Sequence, residues 1–290
     1  MYIFICILSA FCWATFDLTR KLSLKFINPK ILLLLFSTVQ LIVFTTWILT
    51  SDFSINLPNY YLPGTILIAV GIFSSILFLK AINESQLSLT IPLLSFSPVF
   101  SSIFAFLFLG ERLSHIQYIG VIFIFIGTLS LYAKELTVNS FLSSILIIIN
   151  DSSARLMLGV SLMWSITPVL DKICLQYSTI NIHGFLQSLG TSILLLLILG
   201  RTFKKGLTKL KKKEIKLISI TIMVGTMATI LQLYAIIFNY VPIMESIKRS
   251  VGQFSSVIIG NLFFNEPITL QKIFGVFLLT TGVTFVIFQI

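Results

Sequence analysis

The chain has 290 residues, of which 57% are hydrophobic and 10% charged, with a mean hydropathy of +1.03 and a net charge of +10. A soluble domain carries about 25% charged residues, so this composition excludes an ordinary soluble fold and places the chain in a bilayer. The basic excess does not point to nucleic acid, because the run 201–216 has no aromatic interleaving beyond Phe203.

A spanning helix needs roughly 20 mostly apolar residues. Ten such spans are expected, near 2–19, 31–50, 62–82, 87–109, 114–133, 155–176, 182–200, 217–238, 241–264 and 268–289. The first is expected to remain as a helix. No basic segment precedes it, and Phe11 is misplaced for a cleavage box before Cys12. Polar breaks separate the spans at Asn28-Pro29, Leu57-Pro58-Asn59, Asn83-Glu84-Ser85, Gly110-Glu111-Arg112 and the basic linker from Arg201 to Lys216. Residues 141–149 are apolar but too short to cross, and are expected at the interface. Cys6, Cys12 and Cys174 lie in apolar runs without a CxxC pair, so neither a disulfide framework nor a metal site is expected.

The chain repeats itself. Residues 101–131 overlie 256–286 at a constant offset of 155, matching Ser101/Ser256, Phe108/Phe263, Glu111/Glu266, Gly120/Gly275, Val121/Val276 and Gly127/Gly282. Trp13 and Lys21 overlie Trp164 and Lys172 at offset 151, and Val70-Gly71 through Ala81-Ile82 recur 154 residues on. Two five-span copies follow, residues 1–135 and 154–290, joined by a linker over 136–153. Five is odd, so the second copy must enter the membrane inverted, a recurrent plan of secondary transporters. The expected fold is an all-α integral membrane protein of ten transmembrane helices in two inverted five-helix repeats.

The tryptophan in the first span of each half and the Leu107–Leu113 sequence LFLGERL closing the fourth span are the residues of a known family. The chain resembles the EamA-type, ten-helix drug/metabolite transporters over nearly its whole length. The second copy departs from the pattern, reading Phe263-Phe264-Asn265-Glu266-Pro267-Ile268. The resemblance implies a metabolite carrier with a cavity lined by the first four helices of each half, and it says little about the solute.

Sixteen basic residues fall on one side of the membrane, including Arg20, Lys21, Lys25, Lys30 and the eight from Arg201 to Lys216. Only Arg112 and Lys172 fall on the other. The positive-inside rule then puts both termini outside a cell membrane, against the family's usual arrangement.

Ionisable residues inside spans are functional suspects, at roughly 2.5–3.5 kcal/mol each near a helix centre. The ninth span holds three: Glu245, Lys248 and Arg249. Glu245 precedes the two cations by three and four residues, on one face and in the favourable order for pairing. One cation is left to meet an anionic group of a solute, unless Lys248 snorkels to the interface. Asp17 lies one turn from Trp13 and could face the same cavity as a protonatable carboxylate, or could pair with Lys21. Arg20 and Lys21 read as topology anchors. Trp13 and Trp164 sit well inside their spans and suit either stacking on a solute or helix packing. Lys80 and Tyr234 occupy equivalent places in the third and eighth spans, and Lys80 could also snorkel. Glu111 and Glu266 read as helix caps, with Pro267 at a first helical position. Gly120, Gly127, Gly275 and Gly282 read as close helix packing.

The expected substrate-binding set is therefore Trp13, Asp17, Lys80, Trp164, Tyr234, Glu245, Lys248 and Arg249. The expected partners are a small-molecule solute and membrane lipids, with proton or counter-solute coupling, no nucleic acid and no cofactor. No nucleophile–His–carboxylate set, HExxH or phosphate-binding loop is present, so an enzyme is not expected. The expected activity is efflux of amino acids or related metabolites by alternating access. A membrane-embedded lipid-processing enzyme and a non-transporting scaffold are the alternatives.

Overall fold

The computed structural model describes residues 2–51, 53–84, 93–94, 96–132, 150–199, 210–265 and 267–287. Among them are ten helices: α1 (Tyr2–Ser23), α2 (Pro29–Ile48), α3 (Leu57–Glu84), α4 (Phe96–Leu109), α5 (His115–Tyr132), α6 (Ser152–Gln176), α7 (Ile180–Leu199), α8 (Lys212–Phe238), α9 (Val241–Phe264) and α10 (Leu270–Ile287). Seven are long and apolar enough to cross a membrane, and two shorter apolar ones span Phe96–Leu109 and His115–Gly127. α9 is long enough at 24 residues but carries Glu245, Lys248 and Arg249. The expected fourth span began at 87; its first turns, like the interfacial segment 141–149, lie outside the described residues.

Local chemistry sets the helix ends. Asn28 caps α2, accepting the Lys30 N–H at 2.9 Å ahead of Pro29, and Asp151 caps α6 through the Ala154 N–H at 2.7 Å. Two expectations about caps are corrected. α10 starts at Leu270, not at Pro267, because the Thr269 hydroxyl meets the Lys272 N–H at 3.4 Å and takes the capping place. Glu111 does cap a helix, but not the one that follows it in sequence. Its Oε2 accepts the Val241 N–H at 2.8 Å at the start of α9, and its Oε1 takes the Lys172 ammonium at 2.6 Å. Glu266 lies outside the described residues.

The helices pack in pairs that join the first five to the last five: α1 on α8, α3 on α6, α2 on α7, α4 on α9 and α5 on α10. Polar side chains fasten helices of the first five to helices of the last five. The Ser192 hydroxyl donates to Ser37 at 3.0 Å, Ser23 and Thr221 share a hydrogen bond of 3.0 Å, and the Gln40 amide donates to Thr229 at 2.8 Å. Such groups suit a lipid-surrounded bundle, where burial of apolar surface does not drive helices together. α5 and α10 cross at glycines. A Cβ on Gly120 would lie 2.5 Å from the Gly282 carbonyl, and one on Gly127 would lie 2.9 Å from that of Gly275. Since 120 meets 282 and 127 meets 275, the two helices run antiparallel.

The residues leading into α3 are also tied to the end of α6. The Asn56 N–H donates to the Tyr177 carbonyl at 2.8 Å beside an antiparallel bridge between Ile55 and Ser178. Large apolar side chains such as Phe4, Leu107, Leu197, Leu262 and Phe277 are left on the outside, where a soluble protein could not afford them.

Candidate functional site

A cavity of about 200 Å³ lies between the first three helices and α6 to α9. Its charged lining comes from three helices: Asp17 and Arg20 on α1, Asp171 on α6, and Lys248 and Arg249 on α9. Polar neutral groups include Gln40, Gln187, Gln232 and Thr229, and Trp13, Trp164 and Phe36 supply aromatic faces. α4 contributes no lining residue of its own, although Leu94 just before it does.

On α9 the i, i+3, i+4 spacing does what a helix requires and puts Glu245, Lys248 and Arg249 on one face. That face is turned inward. Glu245 is fully buried and accepts from Arg249 Nε at 3.1 Å, with Arg249 Nη2 at 3.0 Å and the Ser97 hydroxyl of α4 donating at 2.9 Å. The Lys248 ammonium pairs with the same carboxylate, donates to the Gln232 side chain at 2.9 Å and lies 5.6 Å from the Trp13 ring centre. Lys248 therefore stays in the bundle and does not reach for the interface; its side chain is 11% exposed. Arg249 lies 5.4 Å from the Trp164 ring centre. Each of these two tryptophans thus faces a cation of α9, an attraction that strengthens as water is excluded.

On α1, Asp17 pairs with Arg20 one turn further on. Arg20 was expected to anchor the helix at the membrane surface. It is buried instead, 3.9 Å over the Phe78 ring and 4.7 Å over Phe16, with Trp164 at 5.9 Å. The Trp164 indole N–H donates to the Ser74 hydroxyl at 3.0 Å. The Trp13 indole nitrogen is buried and has no hydrogen-bond partner among the described residues, so it is a donor left over beside the cavity.

Of the eight residues read from the sequence, Trp13, Asp17, Trp164, Lys248 and Arg249 line the cavity, and Glu245 lies directly behind it as the partner of both cations. Lys80 and Tyr234 do not line it. The inward face of α3 carries Leu67, Gly71, Ile72, Ser75 and Leu79, and Lys80, one residue round from Leu79, is exposed. The Tyr234 ring stacks on Trp47 of α2, with centres 6.3 Å apart.

The sequence reading passed over Arg20 and Asp171 as site residues. One signal could have found both. At offset 151, which aligns Trp13 with Trp164, Arg20 aligns with Asp171. The two copies therefore place opposite charges seven residues after equivalent tryptophans, two turns along the same helix face.

A bundle of apolar helices around a charged, tryptophan-walled hollow defines a polytopic membrane transporter. The EamA-like transporter family model matches residues 1–133 and 152–288. The chain belongs to that family and is a membrane transporter of the drug/metabolite type. One solved structure, described only as "Crystal structure of protein", superposes with a TM-score of 0.73 over 98% of this chain and 97% of its own, at 14% identity; that likeness concerns the fold alone. No curated protein matches the sequence.

Proposed function

We propose that the chain carries a small zwitterionic solute, an amino acid or a close relative, by alternating access between two inverted five-helix halves, residues 1–135 and 154–290, joined by the linker 136–153. The inversion is supported by the glycine crossing. The duplication aligns Gly120 with Gly275 and Gly127 with Gly282, while the contacts run Gly120 to Gly282 and Gly127 to Gly275. Exchanging the halves turns one contact into the other, which is the signature of a two-fold relation. The helix pairs obey the same exchange, with α1 on α8 mirrored by α3 on α6.

The observation that carries the substrate class is the division of charge across the cavity. On α9 two cations share the single carboxylate of Glu245, leaving one positive charge in excess. On α6, Asp171 has the imidazole of His183 beside it at 3.0 Å and, among the described residues, no lysine or arginine paired with it. Asp17 and Arg20 cancel one another. One wall is thus positive and another negative, as a carboxylate and an ammonium on one molecule require. The volume, below the roughly 300–1,000 Å³ of drug-sized sites, favours a small solute over a bulky drug. Efflux is the direction we assign, with both termini outside as the charge count indicates.

Counterflow of a labelled amino-acid mixture in proteoliposomes tests the reading. Saturable exchange that is abolished by Arg249→Gln in a folded, normally expressed protein is the expected result. Full exchange by that variant, or none by the unaltered protein, refutes it. A cytoplasm-only fluorescent reporter on the C-terminus should stay dark; a strong signal overturns the orientation.

A further inference from the structure

A buried hydrogen-bonded chain runs back from Asp171 in the cavity wall through two groups, His183 and Tyr60, that do not line the cavity. His183 of α7 is completely buried. Its Nε2 lies 3.0 Å from Asp171 Oδ1, and its Nδ1 lies 2.9 Å from the Tyr60 hydroxyl at the start of α3. Asp171 opens onto the cavity. Tyr60 lies at the other end, four residues after Asn56, which is bonded to the Tyr177 carbonyl in the turn between α6 and α7. The chain therefore links the cavity to the seam that ties α3 to the α6–α7 turn.

Donor and acceptor rules set its hydrogens once Asp171 is ionised. An ionised carboxylate only accepts, so Nε2 carries the hydrogen toward Asp171 and Nδ1 is left as the acceptor of the Tyr60 O–H. In this arrangement all three groups are satisfied. A proton added to Nδ1 makes the imidazole a donor at both nitrogens. The Nδ1–H then points at the Tyr60 oxygen, and the Tyr60 hydroxyl hydrogen must turn away from it. The hydroxyl has no other hydrogen bond among the described residues, and a buried donor left unmade costs about 1–3 kcal/mol. Displacing Tyr60, and with it the start of α3, relieves that cost. The same proton takes the His183–Asp171 pair from one negative charge to none.

We propose that the His183–Asp171 pair is a proton-binding site whose loading loosens, through Tyr60, the closed seam between α3 and the α6–α7 turn. It supplies the transport reading, on which it rests, with a coupling ion and a place for that ion to act. The neighbouring elements leave this pair as the titrating unit. From α3 the group facing His183 is Tyr60; from α6 they are Asp171, with Cys174 and Tyr177 packed in the cluster around Tyr60. Lys172 of α6 is turned to Glu111. α2 presents Phe44 at Gly184, its lysine, Lys30, being at the opposite end of that helix. α8 offers Tyr234, turned onto Trp47. Lys248 of α9, held by Glu245 and Gln232, is within electrostatic reach of Asp171.

The chain has two histidines, so a His115→Gln protein with 15N-labelled histidine reports His183 alone, with no solute needed. The expected NMR result is a singly protonated, Nε2–H ring in alkali that gains a proton on Nδ1 on acidification. A ring that keeps one tautomer throughout overturns the proposal, whatever transport shows. In proteoliposomes given the labelled amino-acid mixture, His183→Gln should keep equilibrium exchange within about two-fold while pH-gradient-driven accumulation falls on the order of ten-fold. Tyr60→Phe retains the ring's packing and serves if His183→Gln does not fold; it should flatten the pH dependence of net flux in the same way. Undiminished gradient-driven accumulation in either folded variant sinks the coupling role. Failure of the unaltered protein to exchange any labelled solute would refute the transport reading and leave the NMR test standing.

Discussion

Replacing Glu245 by glutamine removes one negative charge and keeps the shape of the side chain. In the native site that carboxylate is fully buried and is the shared partner of Lys248 and Arg249, with the Ser97 hydroxyl as a further donor at 2.9 Å. Without it, two largely buried cations lie side by side with no paired countercharge. Removing one member of a buried ion pair costs about 3–5 kcal/mol, because the remaining charge loses its compensation. At about 2–4 °C per kcal/mol for a chain of this order of size, the melting temperature should fall by on the order of 10 °C. A second change separates electrostatics from packing. Glu245→Gln with Arg249→Gln restores the native balance of one excess positive charge on α9, so the double variant should recover part of the loss, with a coupling of about 0.5–3 kcal/mol. Thermal unfolding in detergent, followed by tryptophan fluorescence, measures both. A Glu245→Gln protein melting within about 2 °C of the unaltered one, or a double variant worse than the sum of the singles, would show that the three side chains are not an electrostatic unit.

The α5–α10 crossing gives a second test: Gly120→Ala places a methyl 2.5 Å from the Gly282 carbonyl, and backbone cannot move aside cheaply, so overpacking of about 1–3 kcal/mol is expected in detergent unfolding. Gly252→Ala has nothing within 4 Å and should be neutral or stabilising, since alanine is the better helix former. Lys172→Met leaves the buried Glu111 carboxylate with the Val241 N–H but without its cation, and should cost about 3–5 kcal/mol of stability. Lys80→Gln, on an exposed face away from the cavity, should leave counterflow within about two-fold of the unaltered rate, as surface changes rarely matter.

The spans were legible because hydropathy is a local property: each stretch of apolar residues reports its own burial in lipid without reference to its neighbours. The face of α9 was legible too, since Glu245, Lys248 and Arg249 are bound together by helix geometry alone. Caps were less so. Glu111 lies beside its own following helix in sequence, yet its carboxylate goes to Val241 and Lys172, partners 130 and 61 residues away. Nothing near Glu111 in the sequence names those partners. Lys80 falls outside the cavity lining for the opposite reason. Its neighbour Leu79 faces the cavity, and a step of one residue around a helix is enough to turn a long side chain to the outside.

Arg20 shows where a statistical rule gives way to a geometric one. An arginine near a helix end in a membrane protein is usually counted as an anchor, and that count ignores what the neighbouring helices offer. Here α1 carries Asp17 within one turn, and α3 and α6 bring Phe78 and Trp164 against the guanidinium. Together they supply a countercharge and aromatic faces, so burial no longer strands the charge. The internal duplication holds the information that a single span lacks. Aligned on its tryptophans, it sets Arg20 of one copy against Asp171 of the other, and in the fold both open onto the same cavity. Equivalent positions of the aligned stretches thus carry opposite charges in the lining of one hollow, that of Arg20 being balanced by Asp17 on its own helix.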